Sequence, residues 1–536
     1  MESVLVSPKL LWLVVLLGVV VRVRQYAANR SLWLDESLVA LNIIGRGMHR
    51  LLTAPLDFNQ TAPAGFLFVE KLSAELFDKG EYALRAFPLL CGIVGLLLYP
   101  KLALRVVGPV GAVIAVALFA FSEPLIYYSS ELKPYAGDIA ATFAIALIGL
   151  VTLDHRLSIR WAVAYGFLGF VLIQLTYAGI LAAAGTGAAL VAIFLLDRRW
   201  AHPGSIIVLV ASWAVGAAVF IFSRPGIETS QFARGQGSSG EGSSGQGSFA
   251  PFPASKADFT WYLSRVKEVV GDANFLLSRW ALFLVVILAI AGGVNLLGRN
   301  WRLFAVLVAP VIATVAASGA HKYPMFPRTM LFFVPLLLLL IANGIVVLAR
   351  RLPLAVGATA AAFVVAGLLA EVSFAGPYSI ARPVHREEIK QSLTYVGRHW
   401  RAGDVLYLQY GSQYAFAYYS ECACFRLPGD RKLRSIWPVR RAIVRRPSDQ
   451  FARALISQGS SVIVGETFGG ATDYARDASS IARHRRAWIL VTWHYGVREL
   501  DLIENELLGR LDRRGRRVTS LSRGGTRLYL YRFPMG

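Results

Sequence analysis

Three cysteines in 536 residues are too few for a disulfide framework or a four-ligand zinc site. Cys91 falls inside an apolar run and reads as core. Cys422 and Cys424 form a C-x-C, read as a structural or local redox pair without a metal. Charge is also scarce. Only 16% of residues are charged, against 55% hydrophobic, whereas a soluble globular chain carries about a quarter charged residues. That excludes a wholly soluble protein and leaves a polytopic membrane protein with room for a further domain. Acidic residues are the scarcer sign, 33 Asp and Glu against 55 Lys and Arg, for a net charge of +22. Roughly half of the cations lie beyond Pro383, in the least apolar part of the chain. A basic surface beside a bilayer suits anionic lipid or anionic glycan. Nucleic acid is not an expected partner, because the basic tail carries no binding motif.

A membrane span needs about 20 mostly apolar residues. Runs at about 8–26, 87–104, 110–128, 135–153, 160–178, 180–196, 204–222, 278–297, 302–319, 329–349 and 353–372 qualify, about eleven spans. No small-residue cleavage site follows the first run, so it reads as a retained anchor rather than a signal peptide. With a cytoplasmic N-terminus, alternate loops carry paired cations: Lys101 and Arg105, Arg156 and Arg160, Arg198 and Arg199, Arg299 and Arg302, Arg350 and Arg351. This is the expected cytoplasmic bias. It requires 62–77, with Glu70, Lys71 and Glu75, to lie along the membrane surface. The other side then collects the loops 27–85, 122–138, 223–275 and 318–329, and the tail from about 371. Residues 235–248, "GQGSSGEGSSGQGS", read as a flexible linker. The tail alternates helical and strand patterns, which predicts a layered α/β domain. Helices are expected in "HREEIKQSLTYVGRHW", in "SDQFARALISQG" and near 499–513, and strands in "DVLYLQY", "SSVIVGE", "AWILVTWH" and "TRLYLYRF". No G-x-G-x-x-G and no P-loop occurs in the tail, so nucleotide chemistry is not expected there.

In "SLWLDESLVALN" (31–42), Asp35 and Glu36 sit side by side among Trp33, Leu34, Leu38 and Val39. Two readings stand. Asp and Glu favour the first turn of a helix. Alternatively, apolar surroundings desolvate a carboxylate, raise its pKa and make it a better proton acceptor. On the same side lie Arg85, Lys133, His321, Lys322 and Arg328. Cations at a membrane edge either snorkel to the interface or bind phosphate, Arg as a fork and Lys as a point charge. Glu131 reads as a partner for Lys133. Tyr127, Tyr128, Tyr135 and Tyr323 form either an aromatic belt or a sugar-stacking surface. His321 has no second ligand at a fixed spacing, and adjacent Asp35 and Glu36 diverge on a helix, so no metal is expected.

Four stretches together resemble the GT-C membrane glycosyltransferases, in the branch of bacterial relatives of protein O-mannosyltransferases and lipid A aminoarabinose transferases. They are "WLDES", "NQTAPAGFLFVEKLSAELFDKGEYALRAFPLLCG" (59–92), "SSELKPYAGDIA" (129–140) and "YPMFPRTMLFFVPLLLLLIANG" (323–344). The resemblance covers about 10–351. It implies a GT-C fold: a transmembrane catalytic domain, 1–372, with interfacial helices in its first external loop, followed by a soluble extracytoplasmic domain, 373–536. The implied activity moves a hexose or pentose from a polyprenyl-phosphate donor to a hydroxyl on a glycan, lipid or protein, with inversion. It needs no cofactor, and the site faces outward from the plasma membrane. Asp35 is then the base and Glu36 its helper. Lys133, Arg328, Lys322 and Arg85 bind the donor phosphate, and Tyr135, Tyr323 and His321 line the pocket. Two departures stand out. The cation many relatives place before the interfacial Pro is absent from Asn59–Pro63, and the signature Arg is Lys133, which lacks a bidentate fork. The competing readings are a transporter or flippase of a lipid-linked saccharide and a scaffold with decayed loops. No internal repeat of the kind transporters carry is found.

Overall fold

The computed structural model describes residues 8–154, 157–197, 203–223, 249–272, 279–374, 383–444, 453–457, 461–465, 471–492 and 503–534. The 235–248 linker, Arg156, Arg198 and Arg199 lie outside them.

Within a bilayer every backbone N–H and C=O must be paired inside its own segment, so apolar runs become helices. Seven helices are long and apolar enough to cross a membrane, and the apolar helices Ile159–Leu175, Phe283–Arg299 and Leu354–Ala370 are shorter. One of the seven, Glu81–Phe121, has 41 residues and breaks at Gly108, where φ is 70° and ψ −179°. Tyr99 and Phe119 stack with centroids 4.7 Å apart, although twenty residues of straight helix would separate them by about 30 Å. The segment is therefore a helical hairpin, and it accounts for the two predicted runs 87–104 and 110–128. The chain is a polytopic helical membrane protein with a sheet-containing C-terminal domain. Gly108 occupies backbone space that only glycine enters freely. Gly108→Ala is expected to cost about 1–3 kcal/mol and to lower the thermal midpoint in detergent by several degrees. Nothing lies within 4 Å of the added Cβ, so backbone strain alone carries the effect.

The first helix, Pro8–Ala27, exposes Trp12, Leu16 and Val20 to the lipid side. Its opposite face packs on the hairpin. Arg22 is buried there and donates to the carbonyls of Phe119 and Ala120 at the hairpin's end. The chain between these elements carries the helices Leu34–Gly45, Met48–Thr53 and Ala64–Leu76. The last falls inside the predicted surface segment. It buries Phe66, Leu67, Glu70 and Lys71 and exposes Phe68, Leu72 and Leu76.

The C-terminal domain holds β1 (Val405–Leu408), β2 (Val439–Val444), β3 (Arg453–Ser457), β4 (Val462–Val464), β5 (Arg486–Thr492), β6 (Arg516–Arg523) and β7 (Thr526–Arg532). Five of them form a sheet in the order β4-β1-β5-β7-β6, and β2 pairs with β3 separately. β4, β1 and β5 run parallel, and β7 and β6 are antiparallel additions. Two expectations need correction. The described part of "SDQFARALISQG" is β3 rather than helix, because a short apolar run fits either period and its pairing with β2 decides. In "HREEIKQSLTYVGRHW" the helix begins only at Ile389.

Alternation along the strands sends Val405 and Tyr407 to one face of the sheet, against Tyr474, Ala478 and Ile481. Leu406 and Leu408 go to the other. That second core is continuous with Leu34, Leu38 and Leu41 of the first external loop. The helix Ser412–Glu421 packs along Leu34–Gly45, so the tail and the acidic loop share one hydrophobic core.

Candidate functional site

Asp35 and Glu36 both fall in the first turn of the helix Leu34–Gly45, yet neither caps it. The cap comes from the tail. Glu387 accepts the Leu34 N–H at 3.2 Å, and Glu388 accepts the Ser31 N–H at 3.0 Å and its hydroxyl at 3.1 Å. Carboxylates at a helix N-terminus also oppose its dipole. At the other end Arg441 donates to the Leu41 carbonyl at 3.1 Å. The tail thus grips the acidic helix at both ends, and Asp35 and Glu36 are left for other partners.

Adjacent residues on a helix point about 100° apart, and the two carboxylates meet different surroundings. Glu36 has no solvent exposure. It takes Arg85 bidentately, at 2.8 and 2.5 Å, and accepts the Leu132 N–H at 2.9 Å. The rest of the Arg85 fork goes to the Arg30 and Ser31 carbonyls. Glu36 and Arg85 therefore form a closed buried pair that ties the acidic helix to the hairpin entry and to the 129–133 loop.

Asp35, 8% exposed, meets cations from other loops. Arg328 Nη1 donates to its Oδ2 at 2.5 Å, and Lys133 Nζ lies 4.0 Å from the same oxygen. Burial raises the carboxyl's pKa, but Lys133, Arg328 and Arg386 outweigh it and hold Asp35 down at about 2. This reverses the expectation of a raised pKa, which rested on the apolar neighbours alone.

Each cation is built in by its own loop. Arg328 follows a stiff turn with Pro324 and Pro327. There the Thr329 hydroxyl accepts the Phe326 N–H and donates to the Pro324 carbonyl, and the Tyr323 hydroxyl donates to the Thr329 carbonyl. Lys133 donates to Gln60 Oε1 at 2.8 Å, so Gln60 holds the lysine from the loop that lacks a cation of its own. In that loop Phe58 and Asn59 both take left-handed backbone, at φ 65° and 52°. Asn42 holds the strained turn through both the N–H and the carbonyl of Asp57, and Arg46 pairs with Asp57 at 2.7 Å.

Glu131 is buried. It accepts the Trp33 indole N–H at 2.7 Å rather than pairing directly with Lys133. Burial raises its pKa. Tyr135 stacks edge-on against Tyr128, centroids 5.3 Å apart, beside this cluster. Tyr323 is buried and acts on the Arg328 loop. Lys322 and His321 are exposed. The His321 ring lies 5.0 Å from Phe249, and neither residue makes a side-chain hydrogen bond or ion pair among the described residues. The grouping of Arg85, Lys322 and His321 with Asp35, Lys133 and Arg328 is thus not the one observed. Among the described residues no group of three His, Cys, Asp or Glu could hold a metal ion.

Sequence reading missed Arg386. Its guanidinium carbon lies 4.5 Å from the Trp33 ring centroid, 4.4 Å from Tyr127 and 5.6 Å from Tyr128. The available signal was the charged cluster "HREE", placed soon after the last span.

No protein-family model and no curated protein matches the chain. Among solved structures, ArnT from Cupriavidus metallidurans bound to undecaprenyl phosphate is similar, at 13% identity and a TM-score of 0.46, over 97% of each chain. An Archaeoglobus fulgidus oligosaccharyltransferase in complex with zinc and sulfate is similar at 13% identity and a TM-score of 0.45, over 96% of this chain and 72% of that one. At such identity and scores these similarities assign the chain neither an activity nor a substrate.

Proposed function

We propose that the chain is a GT-C-type glycosyltransferase that moves a sugar from a polyprenyl-phosphate donor to an acceptor hydroxyl, with inversion. The observation that carries this reading is the Asp35 carboxylate, bonded to Arg328, 4.0 Å from Lys133 and in the field of Arg386. The surplus positive charge fits an anionic phosphate. Asp35, Lys133 and Arg328 sit on segments between apolar helices, the depth at which a lipid phosphate would emerge from the bilayer. We take 1–372 as the catalytic domain and 373–536 as extracytoplasmic. The side is supported by the cation-rich alternate loops and by the Cys422–Cys424 disulfide, a bond that persists in oxidising compartments.

Without donor, Arg328 and Lys133 neutralise Asp35 and make it a weak base. A donor phosphate competes for both cations. As they turn towards it, Asp35 loses its stabilising partners and its proton affinity rises. The acceptor oxygen then attacks the sugar's anomeric carbon from the face opposite the phosphate, its proton passes to Asp35, and the carbon–oxygen bond to phosphate breaks. The cations stabilise the charge on the departing polyprenyl phosphate. Glu36 and Arg85 hold the acidic helix in place and touch neither reactant.

The test is release of polyprenyl phosphate from a labelled lipid-linked sugar by the purified protein in nanodiscs. Acceptor-dependent release is expected. Donor movement across the bilayer without release would replace this reading with a transporter, and neither would leave a scaffold. Lys133→Gln and Arg328→Gln are each expected to weaken polyprenyl monophosphate binding about tenfold, the loss of one charge-assisted hydrogen bond.

A further inference from the structure

We propose that Arg386 of the C-terminal domain is a third ligand for the anionic phosphate, so that the tail completes the donor site. This rests on the reading of the Asp35, Lys133 and Arg328 cluster as a lipid-phosphate site. The three rings of Trp33, Tyr127 and Tyr128 surround the guanidinium. Stacking occupies the faces of a guanidinium and leaves its in-plane N–H groups free for a bidentate oxyanion.

Those donors are largely unspent. A guanidinium carries five N–H groups, and among the described residues the one hydrogen bond of Arg386 runs from Nη2 to the Tyr128 hydroxyl at 3.2 Å. No carboxylate forms an ion pair with it among the described residues. The acids beside it in the chain are committed elsewhere, Glu387 to the Leu34 N–H and Glu388 to Ser31 and His385. Glu131 sits near enough to feel Arg386 but takes the Trp33 indole N–H. Arg30 makes the contrast. It also stacks on Tyr127, at 4.3 Å, but it spends its fork on Ser130 and lies against Glu36. A cation that Asp35 and Glu131 feel but that no described carboxylate pairs with directly, and that keeps free donors, is placed to take an anion.

The placement is rigid. The Gly524–Gly525 turn between β6 and β7 backs the segment, for a Cβ at Gly525 would lie 1.6 Å from the Arg386 carbonyl oxygen. Glu388 donates its N–H to the Gly524 carbonyl at 2.9 Å. The sheet of the tail therefore positions the backbone at Arg386, whose side chain reaches the rings of Trp33, Tyr127 and Tyr128.

The experiment measures polyprenyl monophosphate affinity by native mass spectrometry of the full chain, with thermal unfolding in parallel. The variants are Arg386→Met, Arg386→Lys, Lys133→Gln and Arg328→Gln. Methionine keeps bulk against the three rings and removes the donors, and lysine keeps the charge without the fork. Arg386→Met is expected to weaken binding about tenfold with its thermal midpoint within a few degrees of wild type, and Arg386→Lys to recover part of the loss. Wild-type affinity in Arg386→Met, with weakened binding in Arg328→Gln and Lys133→Gln, makes Arg386 a packing residue and overturns the inference while the proposed function stands. Wild-type affinity in all the variants overturns the proposed function itself. Should Arg386→Met fail to fold, Arg386→Lys decides: a loss of threefold or more supports the inference, and unchanged affinity overturns it.

Discussion

Asp35→Asn is expected to abolish sugar transfer and to tighten the hold on polyprenyl phosphate. Removing a general base costs about 10²–10⁴ in rate. The asparagine keeps the size of the side chain and an oxygen for the Arg328 N–H, so packing survives. Its loss of charge frees Lys133 and Arg328 from a competing anion, and binding of polyprenyl monophosphate should improve several-fold. The pair of results separates a base from a merely structural acid, whose removal would not strengthen phosphate binding. The cost to stability follows from the depressed pKa. A carboxyl lowered from 3.8 to about 2 contributes about 2 kcal/mol. That contribution is full above the ordinary carboxylate range and disappears as pH falls through about 2. At neutral pH the variant should thus be modestly less stable and still folded. Transfer at saturating donor by Asp35→Asn would remove Asp35 from the role of base.

Glu36→Gln, one residue along, should behave in the opposite way. The amide still accepts the Leu132 N–H, but its NH₂ now faces the Arg85 fork and leaves a buried guanidinium without a counter-charge. Breaking a buried ion pair from one side costs about 3–5 kcal/mol. The expected outcome is a poor yield and a thermal midpoint far below that of Asp35→Asn. A double variant, Glu36→Gln with Arg85→Met, removes the orphaned charge and should recover part of the loss. Equal stability of Glu36→Gln and Asp35→Asn in detergent would mean that the Glu36–Arg85 pair does not hold the loop.

These neighbouring residues mark how far the sequence could be read. "WLDES" announced an acidic pair at the membrane edge, but not which member faces the cations. The apolar residues beside Asp35 predicted a raised pKa, since they were the only neighbours in view. Its cations come from 133, 328 and 386, brought together by three separate loops. Arg85 looked like a phosphate ligand because a cation on the correct side is indistinguishable from one already spent on Glu36. Gln60 carried no signal at all, since its use is to hold Lys133.

The helical segments needed no tertiary information. Lipid cannot satisfy a backbone amide, so an apolar run of sufficient length must be helical whatever its neighbours are. The loops bearing Asp35, Lys133 and Arg328 meet in the fold. Folding in three dimensions chose among them. The core shared by the tail sheet and the Leu34–Gly45 helix sets that helix so that Glu36 meets Arg85 and Asp35 meets Lys133 and Arg328. The same core carries Arg386 to the ring of Trp33, 353 positions earlier in the chain. Contacts of that range depend on how whole elements pack, and local residue patterns do not encode them.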